Sequence, residues 1–267
     1  FGVLVRQAQG FNPSRAEGDF ALPMPGGQEM VFRPVFIGEG DGPYSLREFK
    51  VGDPEGGFKE YPTAVAIGGS FVASNKNRSD WLYFIGKYEV TEAQYNVIMN
   101  CTGDCDKNSM SCRYPARNVS WFEAAQFIDR YNQWLFTNQL DALPKNGSSL
   151  GFVRLPTEVE WEFAARGGTA VSVAEFDSKH PYKSDLAAFE WFSGPESSHN
   201  KIRPAGLLKS NPLGIHDMLG NVSEMTFGLY QIEYYQGRSG GFTSRGGHYL
   251  SAKKRIRSSL RIEEPFY

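Results

Sequence analysis

With 267 residues, 40% of them hydrophobic and 14% aromatic, the chain has enough apolar surface for a substantial core, which excludes global disorder. Its formal net charge of -2 gives no general pull toward nucleic acid or an anionic membrane. No apolar run approaches the ~18 residues needed to span a bilayer. Twenty-nine glycines and fifteen prolines predict short elements separated by irregular backbone.

Residues 1–62 are rich in Gly, Pro and charge, with β-like pieces at Met30-Val-Phe-Arg33 and Val35-Phe-Ile37. They read as an N-terminal extension packed on a main body that spans 63–267. The start at Phe1 fits either a removed leader or an excised domain. Gly38-Glu-Gly-Asp-Gly42 lacks the Gly-x-Gly-x-x-Gly spacing of a nucleotide loop and reads as a turn.

Trp81-Leu-Tyr-Phe-Ile85 predicts a buried strand, closed by a turn at Gly86 and Lys87. Thr91 then precedes Gln94, Ser120 precedes Glu123, and Thr157 precedes Glu160. Each pair is a capping box, in which two side chains satisfy orphan backbone N–H groups at a helix start. Between the first two lie Cys101, Cys105 and Cys112, the only cysteines. Their clustering in a polar loop points to one disulfide, of open pairing, and so to an oxidising compartment. The second helix presents Ala124, Phe127, Ile128, Tyr131, Trp134 and Leu135 on one face, and the third is stopped by Gly167 and Gly168. Near the end, Arg245, Lys253, Lys254, Arg255, Arg257 and Arg261 form a basic cluster, readable as structural ion pairs, a solvated face or a contact for an acidic partner.

Five segments, in order, resemble the formylglycine-generating enzyme (sulfatase-modifying factor) family. They are Ile85-Gly-Lys-Tyr-Glu-Val-Thr-Glu-Ala-Gln-Tyr95, Asn118-Val-Ser-Trp121, Arg154-Leu-Pro-Thr157 continuing to Gly168, Asn211 to Glu224, and Ser244-Arg-Gly-Gly-His-Tyr249. The resemblance implies one α+β domain of the formylglycine-generating-enzyme fold, C-type-lectin-like, irregular and loop-rich.

Enzymes of that family use two cysteines to hold copper(I), a soft ion that selects thiolates. The matching positions here are Ser251 and, without a gap, Ile256, and no cysteine follows Cys112. The expectation is therefore a chain without the family's copper chemistry: a binding or regulatory module whose groove candidates are His248, Tyr249 and Ser251. The alternatives are altered chemistry, with His248 as base and Ser251 as nucleophile, or lectin-like ligand binding.

The resemblance also implies one structural calcium site at Asp217, Gly220, Val222 and Glu224. Two carboxylates and two backbone carbonyls suit a hard cation. The stretch Ala188-Phe-Glu-Trp191 shows no convincing ligands for a second site. Short motifs, among them Phe11-Asn-Pro13, Leu22-Pro-Met-Pro25 and Leu260-Arg-Ile-Glu-Glu-Pro265, resemble the TagR-like subgroup associated with type VI secretion. That likeness implies a periplasmic regulator upstream of a threonine kinase, with a membrane kinase or an envelope lipoprotein as partner and no nucleic acid.

Overall fold

Alternating apolar residues between Phe20 and Gly86 produce most of the regular β-structure. The computed structural model describes residues 15–38, 40, 42–75, 78–99, 110–231 and 239–266. Strands β1 (Phe20–Met24), β2 (Gln28–Phe36), β3 (Arg47–Val51), β4 (Thr63–Ile67), β5 (Phe71–Asn75) and β6 (Arg78–Gly86) form two antiparallel sheets. One has the order β1-β2-β6-β5 and the other pairs β3 with β4.

The two β-like pieces around Pro34 are one strand. Pairing with β1 ends at Phe32, so the proline, which has no N–H to give, stands where only the β6 neighbour remains. The expected strand at 81–85 lies within β6, with Leu82, Tyr83 and Ile85 buried. The Gly38–Gly42 turn falls partly outside the described residues.

Among the described residues four α-helices follow: α1 (Glu92–Met99), α2 (Trp121–Asn138), α3 (Glu158–Ala165) and the single turn α4 (Val173–Phe176). All three expected capping boxes form. Thr91 Oγ1 accepts from the Gln94 N–H at 3.2 Å while Gln94 Oε1 accepts from the Thr91 N–H at 2.9 Å. Ser120 with Glu123 and Thr157 with Glu160 repeat the arrangement. Gly167 adopts a left-handed φ of 89°, the conformation that ends a helix most cheaply in glycine.

Helix α2 buries Phe127, Tyr131 and Leu135 against Leu22, Met24, Met30 and Ile98, one of two apolar clusters. Each such side chain taken from water contributes about 1.5–3 kcal/mol. The other cluster gathers Trp161 and Phe163 of α3 with Val35, Tyr83, Met218, Leu219 and Ile256. Downstream lie a short hairpin, β7 (Lys145–Asn146) with β8 (Ser149–Leu150), and a sheet β11-β10-β9 built from β9 (Glu224–Gln231), β10 (Ser239–Arg245) and β11 (Arg261–Glu264).

Long-range polar contacts bind Gly52 and Glu60 to the rest. The Gly52 N–H donates to Glu162 at 2.8 Å, and buried Glu60 accepts from Arg257 and from Ser259 Oγ at 2.7 Å. Among the described residues no helix is long and apolar enough to cross a membrane.

Candidate functional site

The segment from Asn211 to Ser223, which leads into β9 at Glu224, has no regular structure, so side chains must satisfy its backbone. Asn211 is buried. Its Oδ1 accepts from the N–H groups of Leu213 and Ile215, and its amide donates to the Ala164 carbonyl at 2.9 Å. Asp217 and Asn221 sit at left-handed φ of 56° and 44°, positions short polar residues tolerate best. Gly220 is obligatory, because a Cβ there would lie 2.2 Å from the Trp191 carbonyl oxygen.

This loop surrounds a group of four carboxylates. Glu89 accepts from the Asn221 amide at 2.7 Å and from the Val222 N–H at 3.0 Å. Glu190 accepts from the Leu219 N–H and, through a very short contact, from Tyr182. Glu224 accepts from Trp161 Nε1 at 2.6 Å, and Asp217 Oδ2 from the Gly206 N–H at 2.6 Å. The other Asp217 oxygen, Oδ1, is buried with no hydrogen-bond partner.

Burial pushes Asp217 up to about 7. Burial, then the charge of Asp217, pushes Glu224 up to about 7. Glu89 and Glu190 rise well above the ordinary carboxylate range, first by burial and then by the same two charges. None of the four is ion-paired among the described residues.

The expected cation ligands Asp217, Gly220, Val222 and Glu224 thus share one tight loop with uncompensated negative charge and an orphan oxygen. These features fit a hard cation. Among the described residues no three Asp, Glu, His or Cys side chains converge at metal distance, so carbonyls would have to complete the shell. Sequence reasoning missed Glu89 and left Glu190 without a role. The one signal for Glu89 was a carboxylate inside the Lys87-Tyr-Glu-Val90 motif.

The groove candidates lie on the far side of Gly246 and Gly247, both at left-handed φ. A Cβ on Gly247 would sit 3.1 Å from Ser251 Oγ and 3.3 Å from Ile256 Cδ1. Ser251 and Ile256, which the resemblance sets at the family's metal-ligand positions when aligned without a gap, therefore approach the same point as a hydroxyl and a methyl. Ile256 is fully buried in the apolar cluster around Trp161.

His248 and Ser251 meet through the backbone: the His248 N–H donates to Ser251 Oγ at 3.0 Å, and His248 Nδ1 accepts from the Leu250 N–H at 3.2 Å. Burial, then the charge of Arg255, lowers the His248 imidazole below its ordinary value. That geometry orders a turn, with His248 Nδ1 accepting from the Leu250 backbone and the Ser251 hydroxyl accepting from the His248 N–H. The neighbouring Tyr249 N–H donates to the Asn221 carbonyl at 2.9 Å, which joins the groove to the carboxylate loop.

Below both runs a network of paired charges. Arg245, 1% exposed, bonds Glu158 at 3.0 Å and Glu162, and its guanidinium lies 5.2 Å over the Trp161 ring. Glu162 also holds Arg166 at 2.7 Å, and Glu158 holds Arg261 at 2.7 Å. A separate cavity of about 290 Å³, lined by Phe20, Phe32, Phe71, Phe84 and Phe152, shares no residue with either loop. Cys112 is buried, while Cys101 and Cys105, and with them the expected staple, lie outside the described residues.

Fold and site together define an α+β, loop-rich domain of the formylglycine-generating-enzyme type. The chain belongs to the sulfatase-modifying factor enzyme 1-like domain family, whose model matches residues 54–266. Treponema denticola variable protein 1 has the same fold, with a TM-score of 0.63 and 20% identity over 92% of this chain and 93% of that one. Chaperone protein LppX of Paenibacillus barcinonensis is 28% identical over 59% of this chain and 68% of its own length. Inactive C-alpha-formylglycine-generating enzyme 2 of Bos taurus is 38% identical over 29% of this chain, and the match spans 27% of that protein.

Proposed function

We propose that this chain is a non-catalytic member of its family, a binding and regulatory module that works through the surface around His248, Tyr249 and Ser251. The observation that carries this reading is the convergence of Ser251 and Ile256 where two thiolates would be needed. A hydroxyl is a hard ligand of high pKa and an aliphatic side chain is no ligand, so copper(I) has nothing there to select it. A relative named as inactive and another named as a chaperone support binding over turnover.

The finer reading is a periplasmic regulator of type VI secretion, acting upstream of a membrane threonine kinase or with an envelope lipoprotein. Its support is the resemblance of the Phe11-Asn-Pro13, Leu22-Pro-Met-Pro25 and Leu260–Pro265 motifs, with a disulfide among the clustered cysteines fitting an oxidising compartment. Asp217, Glu224 and the carbonyls of Gly220 and Val222 would hold a structural calcium ion. When bound, the ion supplies positive charge to the carboxylate group and orders the loop beneath Tyr249.

The test has two parts. Oxygen uptake with a cysteine-bearing peptide should equal the protein-free rate, and formation of an aldehyde would overturn the reading. Capture of an envelope partner should be lost in Ser251→Trp, and unchanged capture would move the interaction elsewhere.

A further inference from the structure

We propose that the exposed turn Lys253-Lys254-Arg255, beside the Ser251 surface, is a docking site for an acidic peptide segment of a partner protein. This rests on the binding-module reading above and names the chemistry of the partner.

The terminal basic cluster divides in two. Arg245 and Arg261 are committed to Glu158, and Arg257 to Glu60. Lys254 and Arg255 are exposed and make no ion pair among the described residues. Lys253 reaches Asp185 at 3.0 Å, with both side chains about half exposed. Lys179, itself exposed, places its ammonium on the Lys254 carbonyl at 2.6 Å and so adds a fourth cation to the patch. Among the described residues, Asp185 is the one carboxylate ion-paired with these four positive side chains.

The turn is held in place. The Arg255 N–H donates to the Ala252 carbonyl at 2.8 Å, the Ser258 N–H to the Lys179 carbonyl at 3.0 Å, and fully buried Ile256 anchors the chain immediately after it. A backbone held in advance leaves only the side chains to lose freedom on binding. Leu250, 50% exposed, offers an apolar contact at the edge of the patch. A lipid surface is the poorer occupant. It rewards a broad basic face, whereas this patch is small and the whole chain carries a net charge of -2.

The experiment uses the full chain and a fluorescent peptide of alternating Glu and Ser, read by anisotropy at low and high salt. A Lys/Ser peptide and phosphatidylcholine vesicles with and without phosphatidylglycerol serve as comparators. The acidic peptide should bind, weaken with salt, and weaken about tenfold in Lys254→Glu/Arg255→Glu. The same charge change placed elsewhere, Lys50→Glu/Lys59→Glu, should have little effect.

Equal loss in both double variants, equal binding of the two peptides, or binding to anionic vesicles alone would overturn the proposal. If the acidic peptide fails to bind while Ser251→Trp still abolishes partner capture, the proposal falls and the module reading stands. If the acidic peptide binds as expected while a cysteine peptide is oxidised, the reverse holds.

Discussion

Two buried clusters of charge both reach Trp161, Arg245 over its ring and Glu224 at its indole N–H, and they are built on opposite principles. Around Arg245, each carboxylate has a guanidinium: Glu162 faces Arg245 and Arg166, and Glu158 faces Arg245 and Arg261. Around Asp217, four carboxylates have only neutral donors. In the first cluster every carboxylate is ion-paired as folded, and the one orphan is a donor, Arg245 Nε. The second is stable only if its charge is neutralised, by protons or by a cation. The paired carboxylates serve as scaffold, and the countercharge missing from the other four is what the proposed cation would supply.

The largest effect should come from breaking the paired cluster. Arg245→Ala would leave Glu162 and Glu158 partly uncompensated in the interior, at a cost of about 3–5 kcal/mol. Urea unfolding measures this directly. A loss below about 1 kcal/mol would show that the network contributes little.

The clusters should also respond to pH with opposite signs. Burial raises Glu158 and Glu160, but Arg261 and Arg245 for the first, and Arg154 and Thr157 for the second, outweigh it and hold both below the ordinary value. Their contribution is present above the unfolded value and is lost as pH falls through the folded one. Asp217 and Glu224 lie the other way, at about 7. In a chelator, their contribution is full at about pH 4 and is lost, on the order of a few kcal/mol, as pH rises through about 7. Thermal melts in chelator should therefore peak on the acid side of neutrality. A melting curve that climbs steadily from pH 5 to 8 would contradict the unpaired cluster.

Calcium should reverse that trend. An ion at a hundredfold excess over its Kd adds about 2.7 kcal/mol at neutral pH. Asp217→Asn should be more stable than the parent in chelator and gain less from calcium, since it removes a repulsive charge and a ligand together. Asparagine also accepts the left-handed φ of 56° at this position. Identical melts with calcium and with chelator would remove the ion from the proposal.

The sequence revealed the local half of this architecture. The three capping boxes, the apolar face of α2 and the Gly167 stop were legible because each is a contact between residues a few positions apart. A fourth box, Ser172 with Glu175, carries the same signature, but α4 ends at Phe176 and no periodic run follows to draw the eye. The pairing of Ser251 with Ile256 came from their places in a motif. The partners of Asn221 and Arg257 were not legible. Glu89 is 132 residues from the one and Glu60 is 197 from the other, and no spacing rule reaches that far. The expected pieces Met30–Arg33 and Val35–Ile37 stop on either side of Pro34, and only the end of β1 pairing at Phe32 shows how one strand passes through a residue without an N–H.

The smallest effect sharpens the same comparison at a helix end. Thr157 caps α3, and its partner Glu160 is also held by Arg154 at 2.6 Å, so the box belongs to the paired side of the molecule. Ser172 caps the exposed turn α4, where Glu175 is held by exposed Lys183. Burial should separate two boxes of identical chemistry. Thr157→Ala leaves an orphan N–H at the start of the helix that carries Trp161 and should cost about 1 kcal/mol, while Ser172→Ala, with water at hand, should cost a few tenths. Urea midpoints at constant slope resolve the difference. Equal losses at the two sites would mean that the hydroxyl contact alone sets the cost, and that the buried frame around Trp161 lends its cap nothing.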